Sequence, residues 1–220
     1  MLDREERRLV YEHAYLPEHL TDYVEAVSGA EAHLLDDYLC FKRRNHLIFI
    51  GYPLKNKKRN TQKAYDAACR RFRPAKVAII APKIWLPPQT YEAHPEDCYY
   101  RLDLPLASID PEVAYMVRRA SRDLKVSPAT FGKEHKRLVK AFLSSRELSQ
   151  EQKEIYKGIP RYLKRSRSAL LLEARKGDDL VAFNIVDMGS ARYAFYLFNI
   201  RSIEENVPGA SDLLFHEMVG

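Results

Sequence analysis

Apolar positions in the first 36 residues fall three and four apart. In "PEHLTDYVEAVSGAEAHLLDDYL", Leu20, Tyr23, Val24 and Val27 share one side, so residues 5 to 36 read as helical. The period then changes. "YLCFKRRNHLIFIGYPL" is dense in aromatic and β-branched residues on both sides of Arg43-Arg44-Asn45, the mark of a hairpin. "NTQKAYDAACRRFRP" returns to a helix, with Asn60 or Thr61 as its cap and Pro74 after a basic last turn. "KVAIIAP" is a short buried strand, the Pro-rich "IWLPPQTYEAHPED" a loop, and "CYYRLDLP" a further strand.

The second half repeats the alternation of periods. Asp110 caps a helix over "DPEVAYMVRRASR", with Pro111 in its first turn. Two more helices follow in "GKEHKRLVKAFLSSRELSQEQKEIYKGIPRYLKRS". Val139, Phe142 and Leu143 mark the face of one; the other runs from about Ser149 to Tyr162 and meets Pro160. "ALLLEARKG", "DDLVAFNIVDMG" and "ARYAFYLFNI" are three strands of an antiparallel meander, turned at Lys176-Gly177-Asp178 and Met188-Gly189-Ser190. The third strand runs through "RSIEENVPGAS" into a last helix. Both halves thus order their elements alike, which predicts two similar units, 1–108 and 109–220. The fold class is α/β (α+β), with mixed, largely antiparallel sheets flanked by helices.

Composition narrows the class. A hydrophobic share of 46% supports a sizeable core, and the mean hydropathy of -0.43 fits a soluble chain. The longest apolar run is far short of the ~20 residues a bilayer span needs, and the charged start "MLDREERRLV" shows no signal peptide. Cys40, Cys69 and Cys98 are scattered without metal-ligand spacing and read as free thiols of a reducing cytoplasm; no metal is expected. The net charge of +6 is uneven. Residues 41 to 83 hold thirteen Lys or Arg and one acid, a local +12, so the remainder sums to -6. Such a block suits phosphate-rich partners, namely tRNA or other nucleic acid, or an anionic membrane surface; it also suits a solvated face. Its candidate patch is Lys55, Lys57, Lys58, Arg59, Arg70, Arg71 and Arg73.

Candidate chemistry concentrates where the meander enters the last helix. The first turn of a helix leaves N–H groups without partners at the positive end of the dipole, where a phosphate or a developing oxyanion can sit. Gly209 allows close backbone approach, and Ser211 can cap the helix or donate its hydroxyl. Asp187 at a strand end, Tyr196 on the last strand, and Glu204 with Glu205 before the loop are the candidate bases. His216 reads as an ordinary surface or core histidine.

This combination resembles the GNAT acyltransferase superfamily, in which a meander leads to a pyrophosphate-binding loop. Gly209-Ala210 matches the end of the usual loop pattern; Glu205 and Asn206 depart from its start. "AFYLFNIRSIEENVPGASDLLFHEM", together with "FIGYPL" and "IPRYLKRSRSALLLEA", is closer to the branch of Fem-type aminoacyl transferases and the C-terminal domain of phosphatidylglycerol lysyltransferase, where two GNAT-like units are fused. The resemblance spans roughly residues 35 to 220. It implies transfer of an acyl or aminoacyl group from acyl-CoA or aminoacyl-tRNA to an amine or lipid hydroxyl, in the cytoplasm with the inner membrane face as an option. Phe198, Asn199 and Ile200 would align the donor arm; Gly209, Ala210 and Ser211 would take its phosphates. It also implies a further strand after the last helix, so the second unit reads as incomplete: either the chain is a fragment, or the first half supplies the missing sheet edge. The alternative is a non-catalytic nucleic-acid- or anionic-lipid-binding protein using the 41–83 block.

Overall fold

The computed structural model describes residues 1–55, 60–92 and 98–220. It divides into two compact units, Met1–Tyr99 with Gly189–Tyr193, and Tyr100–Met188 with Ala194–Gly220. Each unit holds one four-stranded sheet flanked by helices, the mixed α/β class expected.

In the first unit, α1 (Arg4–His13) starts on an Asp3–Glu6 capping box, which satisfies two orphan N–H groups reciprocally. A 3-10 turn at Pro17–His19 leads to α2 (Thr21–Ser28), which Gly29 ends in the left-handed region, donating its N–H to Glu25 O. The helical expectation for residues 5 to 36 fails beyond that point. Residues Glu31–Leu35 form β1, because they pair along β2 (Tyr38–Arg43), and a ladder partner outweighs the helical propensity of Ala and Leu. β2 turns through Arg44-Asn45 into β3 (His46–Ile50), the expected hairpin. α3 (Thr61–Phe72), capped by the Asn60 side chain, then returns the chain to β4 (Lys76–Ile80), parallel to β3.

Alternation along the strands sends side chains to two covered faces. Tyr38, Cys40, Leu47 and Phe49 pack with Ala64, Ala68 and Phe72 of α3. Leu39, Phe41 and Ile50 pack with Val10 of α1 and Val24 of α2. Each such buried large side chain contributes ~2 kcal/mol of transfer free energy. The half-buried Arg7 guanidinium ties α1 to α2, donating to Thr21 and pairing with Asp22 and Glu25, whose other oxygen accepts the Ala32 N–H of β1.

The second unit begins, at Tyr100, within an irregular stretch. Residues 98 to 104 were expected as a strand but form no ladder. Tyr100 is 97% exposed, so this stretch has no apolar face to bury against. Asp110 caps α4 (Pro111–Ala120) as expected. A short strand the pattern concealed, β5 (Lys125–Pro128), adds an edge to the sheet, with its Pro at the end of the pairing. α5 (Lys133–Ser144) follows. Residues 149 to 165 form two helices, α6 (Gln150–Lys157) and α7 (Ile159–Arg165), split at Gly158 because Pro160 cannot donate to the preceding turn and fits only the first turn of a new helix.

The meander is as expected: β6 (Ala169–Lys176), β7 (Asp179–Asp187) and β8 (Phe195–Arg201), with Gly177 at φ 59° in the first turn. The sheet order is β5-β6-β7-β8, antiparallel throughout. α8 (Ala210–Val219) and α4 cover one face through Val117, Ala120, Leu213 and Leu214 against Leu172, Ala174 and Ala182. Phe183 points to the other face, where Phe131 and His135 meet its ring edge-on.

Candidate functional site

β8 is the outer strand of its sheet among the described residues, so one row of its backbone groups has no ladder partner there. Across β7, Ile185 faces Phe198 and Val186 faces Tyr196, so Leu197 is a bulge residue without an opposite number. A bulge leaves its extra residue outside the ladder and reverses which side chains face which way. Tyr196 therefore turns toward α8, where its ring meets Phe215 at 5.3 Å, while Phe198 turns to the opposite face and meets Tyr156 of α6 at 5.6 Å. Every position of "AFYLFNI" can sit on a half-buried surface, so nothing in the sequence marks the bulge.

Phe198 and Ile200, the residues expected to align the donor together with Asn199, bury their side chains. Asn199 lies between them and accepts a 3.3 Å hydrogen bond from Ser211 Oγ on α8. That bond links β8 to the first turn of α8 and employs the hydroxyl expected to cap the helix. No side chain caps α8. The Ala210 N–H donates to Val207 O, and Asp212 places a carboxylate in the first turn. Of the three residues expected to hold phosphate, Ser211 thus keeps a helix-start amide that neither the helix itself nor a cap employs.

Gly209 is the residue before α8, at φ 84°. A Cβ there would collide with the Met116 carbonyl of α4. Its missing side chain therefore lets α8 pack on α4, besides permitting the left-handed backbone. Gly209→Ala is expected to destabilise the second unit by about 2 kcal/mol or more, from the left-handed penalty plus the clash. Urea unfolding followed by far-ultraviolet circular dichroism measures it; an unchanged midpoint would disprove the close approach.

The candidate bases lie apart. Glu204 is exposed in the loop before α8. Glu205 is 4.0 Å from Lys176 Nζ. Tyr196 is half-buried with its hydroxyl enclosed. Burial pushes its pKa up to about 12, with the charge of Asp212 adding and the adjacent Asn184 side chain opposing. Neither Tyr196 OH nor Asn184 Oδ1 completes a hydrogen bond, although Asn184 Nδ2 donates to Leu214 O at 3.3 Å. Tyr196 is thus a neutral phenol at physiological pH, able to donate a proton and unable to serve as a resting base. Asp187 faces Phe195 at the start of β8, whereas the loop to α8 leaves from Arg201 at its end. The Asp187 carboxyl is wholly buried and accepts from the hydroxyls of Tyr162, Ser166 (3.3 Å) and Ser168 (3.0 Å).

A second titratable group stands at the start of α5, and sequence reasoning passed over it. His135 Nδ1 accepts the Gly132 N–H at 3.1 Å, which leaves the ring proton on Nε2, 3.1 Å from Glu173 Oε2 but off hydrogen-bond alignment. Burial holds the imidazole below its ordinary pKa, with Glu173 opposing. Arg175 bridges Glu173 and Glu134 at 2.8 and 2.7 Å. Glu173 and Arg175, two apart on a strand, were the legible sign of a shared face.

The patch assigned to the 41–83 block divides. Lys55 lies in the loop before α3. Lys57, Lys58 and Arg59 fall outside the described residues. Arg70 and Arg71 occupy the other end of α3 and Arg73 follows it; twelve residues of helix span about 18 Å. Among the described residues no His, Cys, Asp and Glu side chains group as a metal site, and no helix is long and apolar enough to cross a membrane. Cys40, Cys69 and Cys98 are free.

No protein-family model and no curated protein matches the chain. Solved structures do share its architecture. The C-terminal domain of a protein assigned as a lysylphosphatidylglycerol synthetase from Agrobacterium fabrum superposes with a TM-score of 0.56 at 12% identity, over 99% of this chain and 75% of that one. A conserved protein of unknown function from Bacteroides thetaiotaomicron superposes with a TM-score of 0.60 at 13% identity, over 99% and 78%. At such identities the likeness is one of fold. It includes a structure from the branch that the sequence resembles.

Proposed function

We propose that this chain has the architecture of a GNAT-like aminoacyl- or acyltransferase of the Fem and lysyltransferase branch, with the donor laid along the outer edge of β8. The observation that carries the reading is the bulged edge strand running through Gly209 into an uncapped helix start. An extended acyl carrier can add to the outer edge of a sheet as a further strand would. Amides at the start of α8 would receive its phosphate, at a cost from Asp212 that a cation on the donor side would offset. The acceptor amine or hydroxyl attacks the ester or thioester carbonyl, and its proton leaves to a base or solvent. Backbone N–H groups at the irregularity in β8 would meet the oxygen that gains charge, and collapse expels the carrier. Positioning supplies most of the rate in such a reaction. The donor is acyl-CoA or aminoacyl-tRNA, and the solved lysylphosphatidylglycerol synthetase domain favours an aminoacyl donor and a lipid acceptor.

Calorimetric titration with CoA and acyl-CoA, in parallel with transfer of a radiolabelled aminoacyl group from tRNA to phosphatidylglycerol vesicles, tests the reading. A donor at about a hundred times its Kd stabilises the fold by about 2.7 kcal/mol. Absence of binding by any CoA together with absence of aminoacyl transfer overturns the proposal.

A further inference from the structure

The crossover from β3 through α3 to β4 gathers cations that lie far apart in the sequence. β4 is parallel to β3, so α3 runs back along the sheet and ends where both strands begin. At that end His46 pairs with Arg43 on one side and with Lys76 on the other. Asn45 O accepts the N–H groups of Ala75 (2.7 Å) and Lys76 (3.2 Å), which pins the connection after α3 onto the β2–β3 turn. On the α3 side, Lys42 of β2 and Arg71 of α3 lie over one ring, Phe72, at 5.7 and 5.4 Å. The His33 ring packs on Phe72 at 4.8 Å. Burial first, and then surrounding positive charge that includes Arg71 and Lys42, holds His33 below its ordinary pKa. Arg44, Arg70 and Arg73 are exposed at the same end.

Among the described residues none of these lysines and arginines forms an ion pair with a carboxylate. Arg43 donates to Ser28 O at 3.0 Å. Glu31, the cross-strand neighbour of Lys42, is the acid nearest in register. Gathering like charges on one face raises the electrostatic energy of the fold, and a polyanion relieves it. Arginines predominate, and their planar forks match phosphate oxygens bidentately. Phe72 is already covered by cations, so the face offers charge rather than an open ring for base stacking. None of the exposed large hydrophobic side chains of the described residues lies between 31 and 76, so this face lacks the apolar insertion that a bilayer-binding surface uses.

We propose that this end of the first unit is a docking surface for the phosphate backbone of an RNA. The preference for RNA rests on the transfer reading, in which a tRNA carries the donor ester; the charge argument does not. Filter binding with uncharged tRNA over a salt series separates the two, because it requires no acyl group and no turnover. Arg70→Ala with Arg71→Ala preserves the helix, since Ala is its best former. Arg44→Asn tests the turn separately, as Asn tolerates the φ of 53° found there. The control is Lys133→Ala with Lys136→Ala, the same charge loss on α5. The expected result is steeply salt-dependent tRNA binding whose log-log slope falls by about 2 in the α3 double variant and by about 1 in Arg44→Asn, with the control unchanged. Equal losses in patch and control variants, no loss in either patch variant, or equally tight binding of duplex DNA overturns it. So does patch-dependent binding to anionic phospholipid vesicles without binding to tRNA.

Discussion

Replacing Asp187 by Ala is expected to destabilise the second unit by about 4 kcal/mol. The residue ends β7 with its carboxyl fully buried, and three hydroxyls converge on its two oxygens. Tyr162 comes from α7, while Ser166 and Ser168 come from the connection between α7 and β6, so one side chain ties a helix, its exit and the sheet together. Removing the acceptor costs the buried Tyr162 hydroxyl its Asp187 bond, at ~1–3 kcal/mol. It also takes the charged acceptor from the part-buried Ser166 and Ser168 hydroxyls, which lie 3.2 Å apart and can still bond each other. Tyr162→Phe removes one donor and should cost about 2 kcal/mol. Hydrogen exchange across β6 to β8, with urea unfolding, reads both. Undiminished stability in Asp187→Ala together with lost transfer activity would instead make Asp187 a catalytic residue.

Acid is expected to unfold the first unit through His19. Its ring is fully buried, Nδ1 accepts the Tyr15 N–H at 3.3 Å, and Nε2 lies 3.1 Å from Tyr52 O. A carbonyl can only accept, so the proton sits on Nε2 and the ring is neutral. Burial lowers the pKa from 6.5 to about 4, with the Tyr52 bond opposing. Above pH 6.5 neither state binds the proton and His19 costs nothing. Below it the unfolded chain takes a proton that the folded chain refuses. Stability is therefore lost as pH falls, by about 2 kcal/mol down to pH 5 and about 3 kcal/mol once pH is below 4. His33 shifts in the same direction, so the measurement is the difference between wild type and His19→Gln. Trp85, the single tryptophan, packs on Phe49 and Tyr65 of this unit and reports its unfolding by fluorescence. Identical losses between pH 7.5 and 5 in the two proteins would show that His19 does not carry the effect.

Local chemistry was legible wherever one residue type decides a local geometry. Asn60 and Asp110 cap the helices expected of them, Arg44-Asn45 and Gly177 turn their hairpins, and the alternation over residues 169 to 201 is the meander. The misses share a cause. Residues 31 to 35 and 125 to 128 became strands because β2 and β6 offered them a ladder, and residues 98 to 104 stayed irregular for want of one. Pairing depends on a partner far along the chain, which a local window does not contain.

The candidate site divides in the same way. Its meander, its Pro-Gly loop and its last helix are readable as a succession of periods and turn residues, and so is the residue resemblance to an aminoacyltransferase branch. By itself, then, the sequence determined most of the helices, the hairpin and the meander, the α/β class and the uneven charge. The tertiary structure alone decided that Leu197 is a bulge, that Gly209 faces Met116, and that Asp187 is enclosed by hydroxyls. It alone set Arg71 beside Lys42 and parted Arg71 from Lys55. The physical reason is that turns and caps depend on neighbours within a few bonds, whereas register, close approach and charge convergence depend on distances that come into being when the sheets close.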